Sequence, residues 1–286
     1  MQKKNMTQKE NAKIWFITGI SSGLGKALAE EVIAAGDFVI GSFRQQIQVD
    51  VFNNAYKNEA LALRMDVTKP EDIVKAAALV EKQFGRIDVL VNNAGFGFAG
   101  AIEETNTEET RRVFEANFFG ALAVTQHFLP IMRRQKSGQI FQISSHSGFK
   151  GFPGFGIYGA SKFALEGFSE ALALEVAPLG IKVTIVEPGP FRTEFAGAGF
   201  GFTEKIIDDY AATAGAFRER MKGLAGKQEG DPQKAAHAII NLAHSANALL
   251  RLPLGKIALI TLASKLESVQ KDLDAAREVA AGAVYQ

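Results

Sequence analysis

Ile14-Trp-Phe-Ile-Thr-Gly19-Ile-Ser-Ser-Gly23-Leu-Gly25 is the stretch whose reading decides the fold. A short apolar run breaks into a glycine-rich turn, and Leu24–Ala35 then repeats its apolar residues at helical spacing. Strand, turn and helix in that order open a βαβ unit. Glycines let the backbone turn tightly and come close to a pyrophosphate. The helix start adds unpaired N–H groups and the positive end of the helix dipole. Gly19, Ser21, Ser22, Gly23, Leu24 and Gly25 are therefore candidate phosphate-binding residues. The spacing is G-x-x-x-G-x-G, which differs from the general G-x-G-x-x-G fingerprint, so the turn alone is a moderate signal.

The same alternation continues outward. Apolar runs at Phe38–Phe43, Leu61–Met65, Ile87–Val91, Gln139–Ser144, Ile181–Glu187 and Ala248–Leu252 read as strands. Helical patterns separate them, at about 68–84, 107–132 and 158–176, after Asp231-Pro232, and from Lys256 onward. Thr68-Lys-Pro-Glu71 has the form of a capping box. The prediction is α/β: a Rossmann-type doubly wound parallel sheet of seven strands with helices on both faces. A polar tail, residues 1–12, precedes a single domain, residues 13–286. The irregular stretch Phe191–Gly230 is long enough to suggest a substrate lid.

Bulk properties narrow the function classes. The chain has 286 residues, 47% hydrophobic and 22% charged, with a formal net charge of +1. That balance favours neither nucleic acid nor an anionic membrane surface. No cysteine occurs, which removes disulfides, thiolate nucleophiles and cysteine-ligated zinc, and the four histidines show no metal-ligand spacing. No apolar run approaches the roughly 18 residues of a membrane span, and no apolar signal segment is seen. A cytoplasmic location is expected.

Strand two speaks to which dinucleotide is bound. NAD-binding folds place an acid at the C-terminal end of that strand for the ribose 2′-hydroxyl. Phe38-Val-Ile-Gly-Ser-Phe-Arg44 has none, and Asp37 stands at the opposite end. Arg44 is positioned to pair with a 2′-phosphate and Ser42 to add a hydrogen bond, so NADP is expected over NAD.

Tyr158-Gly-Ala-Ser-Lys162 begins a helix and puts both side chains on one face. An ammonium beside a phenol favours the phenolate and lowers its pKa, which suits proton exchange with a carbonyl or alcohol oxygen. The spacing is weak alone. Its context is stronger: Asn92-Asn-Ala-Gly95 ends strand four, Ser144-Ser145 ends strand five, Pro188-Gly189 ends strand six with Thr193 just beyond, and Asn117 lies in the long helix. Ligands in open α/β sheets bind at these strand ends.

Taken in order, these motifs resemble the short-chain dehydrogenase/reductase superfamily in its short, single-domain form, from about Lys13 to Gly255. The likeness is closest to the branch with hydroxysteroid and retinol dehydrogenases and bacterial carbonyl reductases. The resemblance implies that Tyr158 is the general acid/base, that Lys162 tunes it and holds the nicotinamide ribose, that Ser145 polarises the substrate oxygen, and that Asn117 positions a relay water. It further implies that Asp66 and Val67 meet the adenine, that Asn92, Ala94 and Gly95 line the adenosine, and that Pro188, Gly189 and Thr193 flank the carboxamide. The helices bearing Asn117 and Tyr158 pack across a two-fold axis in such proteins, so a homodimer or homotetramer is expected.

Phe96, Phe98, Phe149, Phe152, Phe155, Phe191, Phe195, Phe200 and Phe202 fall in loops at the same end of the sheet. They either line an apolar substrate pocket or pack the lid and core. His146 either faces that pocket or is a partly buried or solvated histidine. Two other functions compete with a carbonyl/alcohol oxidoreductase: a catalytically silent NADP-binding regulator, and an epimerase or dehydratase using the same Tyr-Lys pair. Retention of Ser145, Tyr158 and Lys162 weighs against the first, and the glycine spacing against the second.

Overall fold

A computed structural model describes residues 12–197 and 199–285. Apart from Ala12, the expected polar tail lies outside the described residues. The strands are β1 (Ile14–Ile17), β2 (Phe38–Phe43), β3 (Ala60–Arg64), β4 (Val89–Asn92), β5 (Phe98–Ala99), β6 (Gly138–Ile143), β7 (Ile181–Pro188), β8 (Gly201–Phe202) and β9 (Arg251–Leu254). The helices are α1 (Gly23–Ala34), α2 (Gln46–Ala55), α3 (Pro70–Phe84), α4 (Thr107–Phe114), α5 (Gly120–Gln135), α6 (Gly156–Val176), α7 (Ala216–Lys222), α8 (Pro232–His244) and α9 (Lys256–Gly282).

Seven strands form one parallel sheet in the order β3-β2-β1-β4-β6-β7-β9, while β5 and β8 pair separately. The doubly wound prediction is met. Alternation along β1 shows why both faces are covered. Trp15 and Ile17 pack towards α1 and α8. Ile14 and Phe16 pack towards α3, α5 and α6. A strand buried on both sides has to be continuously apolar. Chain order reverses about β1 and β4, and the crevice at their C-terminal ends is where such sheets take ligands.

Several boundaries differ from the sequence reading. Thr68 does not cap α3. Lys69 holds the N-cap position, Pro70 follows at the first helical position, and the Thr68 hydroxyl donates to Asp66 Oδ1 at 2.8 Å. A proline's fixed φ suits that first position, so the helix starts one residue later than the motif suggests. The long helix at 107–132 is interrupted by a π-helical turn, Glu115–Phe119, between α4 and α5. The edge strand sits at Arg251–Leu254 instead of 248–252. An edge strand tolerates Pro253, which has no N–H to give. Asp231 caps α8 as read, accepting from the N–H groups of Gln233 and Lys234. No helix of the described residues is long and apolar enough to cross a membrane.

Candidate active site

The glycine turn is clamped from the neighbouring strand end. Asn93 Nδ2 donates to the carbonyls of Thr18 and Gly19, both at 2.9 Å. Thr18 Oγ1 accepts in turn from the N–H groups of Asn93 and Ala94, again at 2.9 Å. Gly25 is needed for this clamp, since a Cβ there would lie 2.2 Å from Asn93 Nδ2 and 2.5 Å from the Gly19 carbonyl. Gly19 and Gly23 carry positive φ, 70° and 61°, which side-chain-bearing residues adopt poorly. Gly25→Ala is expected to cost about 1–3 kcal/mol of stability through overpacking and to weaken dinucleotide binding. A urea melt and cofactor titration identical to wild type would contradict this.

The start of α1 is left open. Ser22, its N-cap, makes no side-chain capping bond, and the first turn contains no acid. By contrast, Asn106 and Asp231 cap α4 and α8 through their side chains. Ser21 and Ser22 are exposed beside these free N–H groups. An uncapped helix start beside a glycine turn fits a bound pyrophosphate. Thr193 closes the far side, 3.5 Å from where a Gly23 Cβ would be. Gly189 bonds back to the Leu254 carbonyl, which fixes the Pro188-Gly189 end of β7.

Two expected cofactor contacts have other partners. The Ser42 hydroxyl is buried and accepts from Gly19 N–H at 3.0 Å, so it braces the turn and is not presented to a 2′-phosphate. Asn92 points its side chain inward, donating to Thr125 and Gln142. Its neighbour Asn93, which the sequence reading did not single out, does the work at the crevice. Asp66 Oδ1 accepts from the N–H and hydroxyl of Thr68. Val67 packs against Gly120, where a Cβ would come within 2.8 Å. Arg44 is exposed and makes no ion pair among the described residues. Asp37 accepts from Lys13 N–H and the Trp15 indole at the far end of β2, away from the glycine turn.

The four residues expected to carry chemistry come together. Lys162 Nζ lies 5.9 Å from the Tyr158 ring centre and donates to the Ile143 carbonyl at 2.8 Å. A Cβ on Gly95 would stand 2.8 Å from Asn117 Oδ1 and 3.6 Å from Lys162 Nζ. Asn117 sits inside the π turn, as such turns often mark functional sites. Its amide is fully engaged: Oδ1 accepts from Phe96 N–H, and Nδ2 donates to the Phe96 carbonyl and to Ser161 Oγ. Ser161 passes the connection on to the Tyr158 carbonyl at 2.7 Å. The Asn117 side chain therefore clamps the Phe96 loop to α6. Ser145 Oγ accepts from Ser147 N–H at 3.1 Å.

Electrostatics correct one expectation. Burial pushes the Tyr158 phenol above its ordinary value, with the Ser145 hydroxyl acting the other way. Loss of solvation disfavours the charged phenolate. Burial also pushes Lys162 down to about 8, with the Glu166 carboxylate opposing that shift. Glu166, one turn beyond Lys162, went unnoticed in the sequence. It accepts from Ser144 Oγ at 2.6 Å and from Arg251 at 2.8 Å, tying the strand-end serine loop to the edge strand.

Rings enclose the phenol. Phe155 stacks on Tyr158 with centres 4.2 Å apart, Phe195 meets it edge-on at 5.7 Å, and Phe200 and Phe217 pack around Phe155. Other members of the expected phenylalanine set lie elsewhere: Phe149 beneath the Arg251 guanidinium, Phe98 buried in β5, and Phe191 against Gly230. His146 does not face the phenol. Its Nδ1 lies 3.1 Å from Thr261 Oγ1 on α9, and burial together with Arg220 lowers its pKa to about 4.

The sequence profile of the short chain dehydrogenase family matches residues 13–200. The chain belongs to the short-chain dehydrogenase family. "Oxidoreductase BOA17" of Botryotinia fuckeliana is 40% identical over 244 residues, covering 85% of this chain and 89% of that one. Among solved structures, a short-chain dehydrogenase from Streptomyces avermitilis is 45% identical, with a TM-score of 0.90, covering 96% of this chain and all of the other. ElxO with NADP bound is 28% identical with a TM-score of 0.70, covering 85% and 97%. The short-chain dehydrogenase fold and nicotinamide-linked oxidoreduction follow from these matches.

Proposed function

We propose that the protein reduces an apolar carbonyl compound, or oxidises the corresponding alcohol, with NADP(H), using Tyr158 as general acid/base. The observation that carries this reading is the convergence of Tyr158, Lys162, Ser145 and Asn117 beside the open start of α1. Bound NADPH supplies the hydride. The chain's own residues handle the proton and the substrate oxygen.

In the reductive direction a protonated phenol is the form required, and burial keeps Tyr158 in that form. Its hydroxyl gives a proton to the substrate oxygen as negative charge builds there, and Ser145 donates a second hydrogen bond. The Lys162 ammonium helps most in the transition state, where the phenol is becoming phenolate. Taken at the ring centre, 5.9 Å away, a unit negative charge would be worth on the order of 3 kcal/mol to the ammonium at an effective dielectric of ~20. Asn117 holds the Gly95-Phe96 loop against Lys162 and so keeps the ammonium in place. Its backbone in the π turn, with its amide already engaged, is the part left to position a relay water.

Arg44 supports NADP as the cofactor, being exposed at the end of β2 where no acid stands. ElxO with NADP bound lends weight to the same choice. Asp66, Val67, Ala94 and Gly95 would border the adenosine, and Pro188, Gly189 and Thr193 the nicotinamide carboxamide. The aromatic enclosure of Tyr158 favours an apolar substrate, which would part Phe155 from Phe195 on entering. Exposed Phe119 and Phe163 on the helices around Asn117 and Tyr158 suit a two-fold pairing of subunits, and a cytoplasmic location suits the cysteine-free chain.

Residues 191–230 serve as the lid in this account. Its anchor is Glu104, wholly buried, which accepts from Ala101 and Ile207 N–H groups and pairs with Arg218 on α7 at 3.2 Å. Arg218→Met leaves that carboxylate without its cation, a change that typically costs about 3–5 kcal/mol. Faster tryptic cleavage at Lys205, Arg220 or Lys222 is expected, with the far-ultraviolet circular dichroism of the body unchanged. Cleavage at the wild-type rate would show that the pair does not hold the lid.

A panel of ketones, aldehydes, steroids and quinones, followed by NADPH consumption, tests the function. Turnover of apolar carbonyls is expected. Tight NADPH binding with no turnover of any of them would favour the silent regulator.

A further inference from the structure

Among the described residues, the outer part of α9 has no partner in its own chain. Its base is docked: Ala258 and Thr261 are buried, His146 meets Thr261, and Lys150 Nζ donates to Ser264 Oγ at 2.9 Å. From Leu266 to Gly282 every residue is exposed. The helix has 27 residues, so it is about 40 Å long and more than half of it projects.

The helix is patterned along its length, from the base into the projecting part. Leu259, Leu262, Leu266, Val269, Leu273, Ala276 and Ala280 recur at alternating intervals of three and four. That is the narrow seam of one helix packed along another, and it differs from the broader stripe of a helix lying on a globular core. Leu266 and Leu273 are 59% and 60% exposed, although burying each is worth about 1.5–3 kcal/mol. Glu267, Lys271, Asp274 and Glu278 occupy the outer face.

Charge selects the occupant. Residues 265–278 carry three cations against four carboxylates, which is not the basic polar face of a membrane-surface helix. Asp272 and Arg277 flank the seam on opposite sides, five residues apart. In two parallel helices in register, that spacing sets Asp272 of one against Arg277 of the other, twice by symmetry. Arg277 also touches Asp274 in its own helix at 3.1 Å, and its guanidinium has donors for both. We propose that α9 packs in parallel against α9 of a second copy of this chain, through the seam from Leu259 to Ala280. This surface is separate from the helices around Asn117 and Tyr158, and it stands whether or not the proposed reaction is right.

The chain's lack of cysteine allows a direct test with the full-length protein. Ala276→Cys places one thiol on the seam, and Lys271→Cys places one on the outer face. Under mild oxidation in dilute solution, Ala276→Cys is expected to form a disulfide-linked pair at least about tenfold faster than Lys271→Cys, because only seam thiols are held at high effective concentration. Adding Leu266→Glu and Leu273→Glu should abolish the difference. Asp272→Arg should slow the linkage, and Arg277→Asp in the same chain should restore it. Equal rates at the two positions, no linkage at all, or linkage indifferent to the glutamates would overturn the proposal. So would leucine-dependent sedimentation with phosphatidylglycerol vesicles in place of cross-linking, which would assign the seam to lipid.

Discussion

Tyr158→Phe is expected to lower kcat for carbonyl reduction by about 100- to 10,000-fold, the range a positioned proton donor supplies, while the Kd for NADPH changes by less than about twofold. The variant should fold normally. The ring is nearly buried, and its stacking on Phe155 and edge contact with Phe195 depend on the six-membered ring, which phenylalanine keeps. Only the hydroxyl is lost, and with it the proton. A loss made only in the transition state lowers kcat and kcat/KM together. Initial rates and a fluorescence titration of NADPH check both halves. A variant that keeps most of its kcat would remove Tyr158 from the chemistry. A large loss of NADPH affinity would instead make the residue part of the binding surface.

The frame that positions this tyrosine was legible because buried parallel strands have to be apolar runs. β1, β2 and β7 fall where their sequences place them. Local chemistry also announced the glycine turn and the Asp231 cap. The helix α2 was missed because Gln46–Ala55 is rich in Asn, Val and Gln, and only Val49 in it is buried. Long-range contacts hold it instead: Asn53 bonds both ways to the backbone of Ala62, and Phe52 packs on Phe43. The two-residue strands β5 and β8 are too short to show a period.

Within the site, residue types could be read and their partners could not. Nothing near Ser42 in the sequence says that its hydroxyl braces Gly19, or that Asn93 turns outward where Asn92 turns in. Glu104 and Arg218 are 114 residues apart and meet only in the folded lid. The direction in which burial pushes the Tyr158 phenol was hidden for a related reason. The Lys162 charge is visible in the motif, whereas the burial that raises the phenol comes from Phe155 and Phe195, brought in from two loops.

Arg44→Ala is expected to raise the KM for NADPH by about 10- to 100-fold, since hydrogen bonds to a charged group are worth about 1.5–3 kcal/mol, and to leave the KM for NADH within about twofold. The guanidinium is exposed, so the effect should shrink as ionic strength rises. Steady-state kinetics with both cofactors at low and high salt checks this. If the substitution leaves the ratio of the two KM values unchanged, Arg44 is an ordinary surface cation and the selection of NADP lies elsewhere.

The pH dependence of kcat/KM for carbonyl reduction tests the central claim most directly. The acting form is a neutral phenol beside a charged ammonium. Tyr158 is pushed above its usual value, so it stays protonated throughout the accessible range, while Lys162 loses its proton near 8. The rate is expected to be level on the acid side of Lys162's titration and to fall as pH rises through it. A reductive rate that climbs with pH across the same range would mean that the phenolate, or another base, does the work, and would contradict the account.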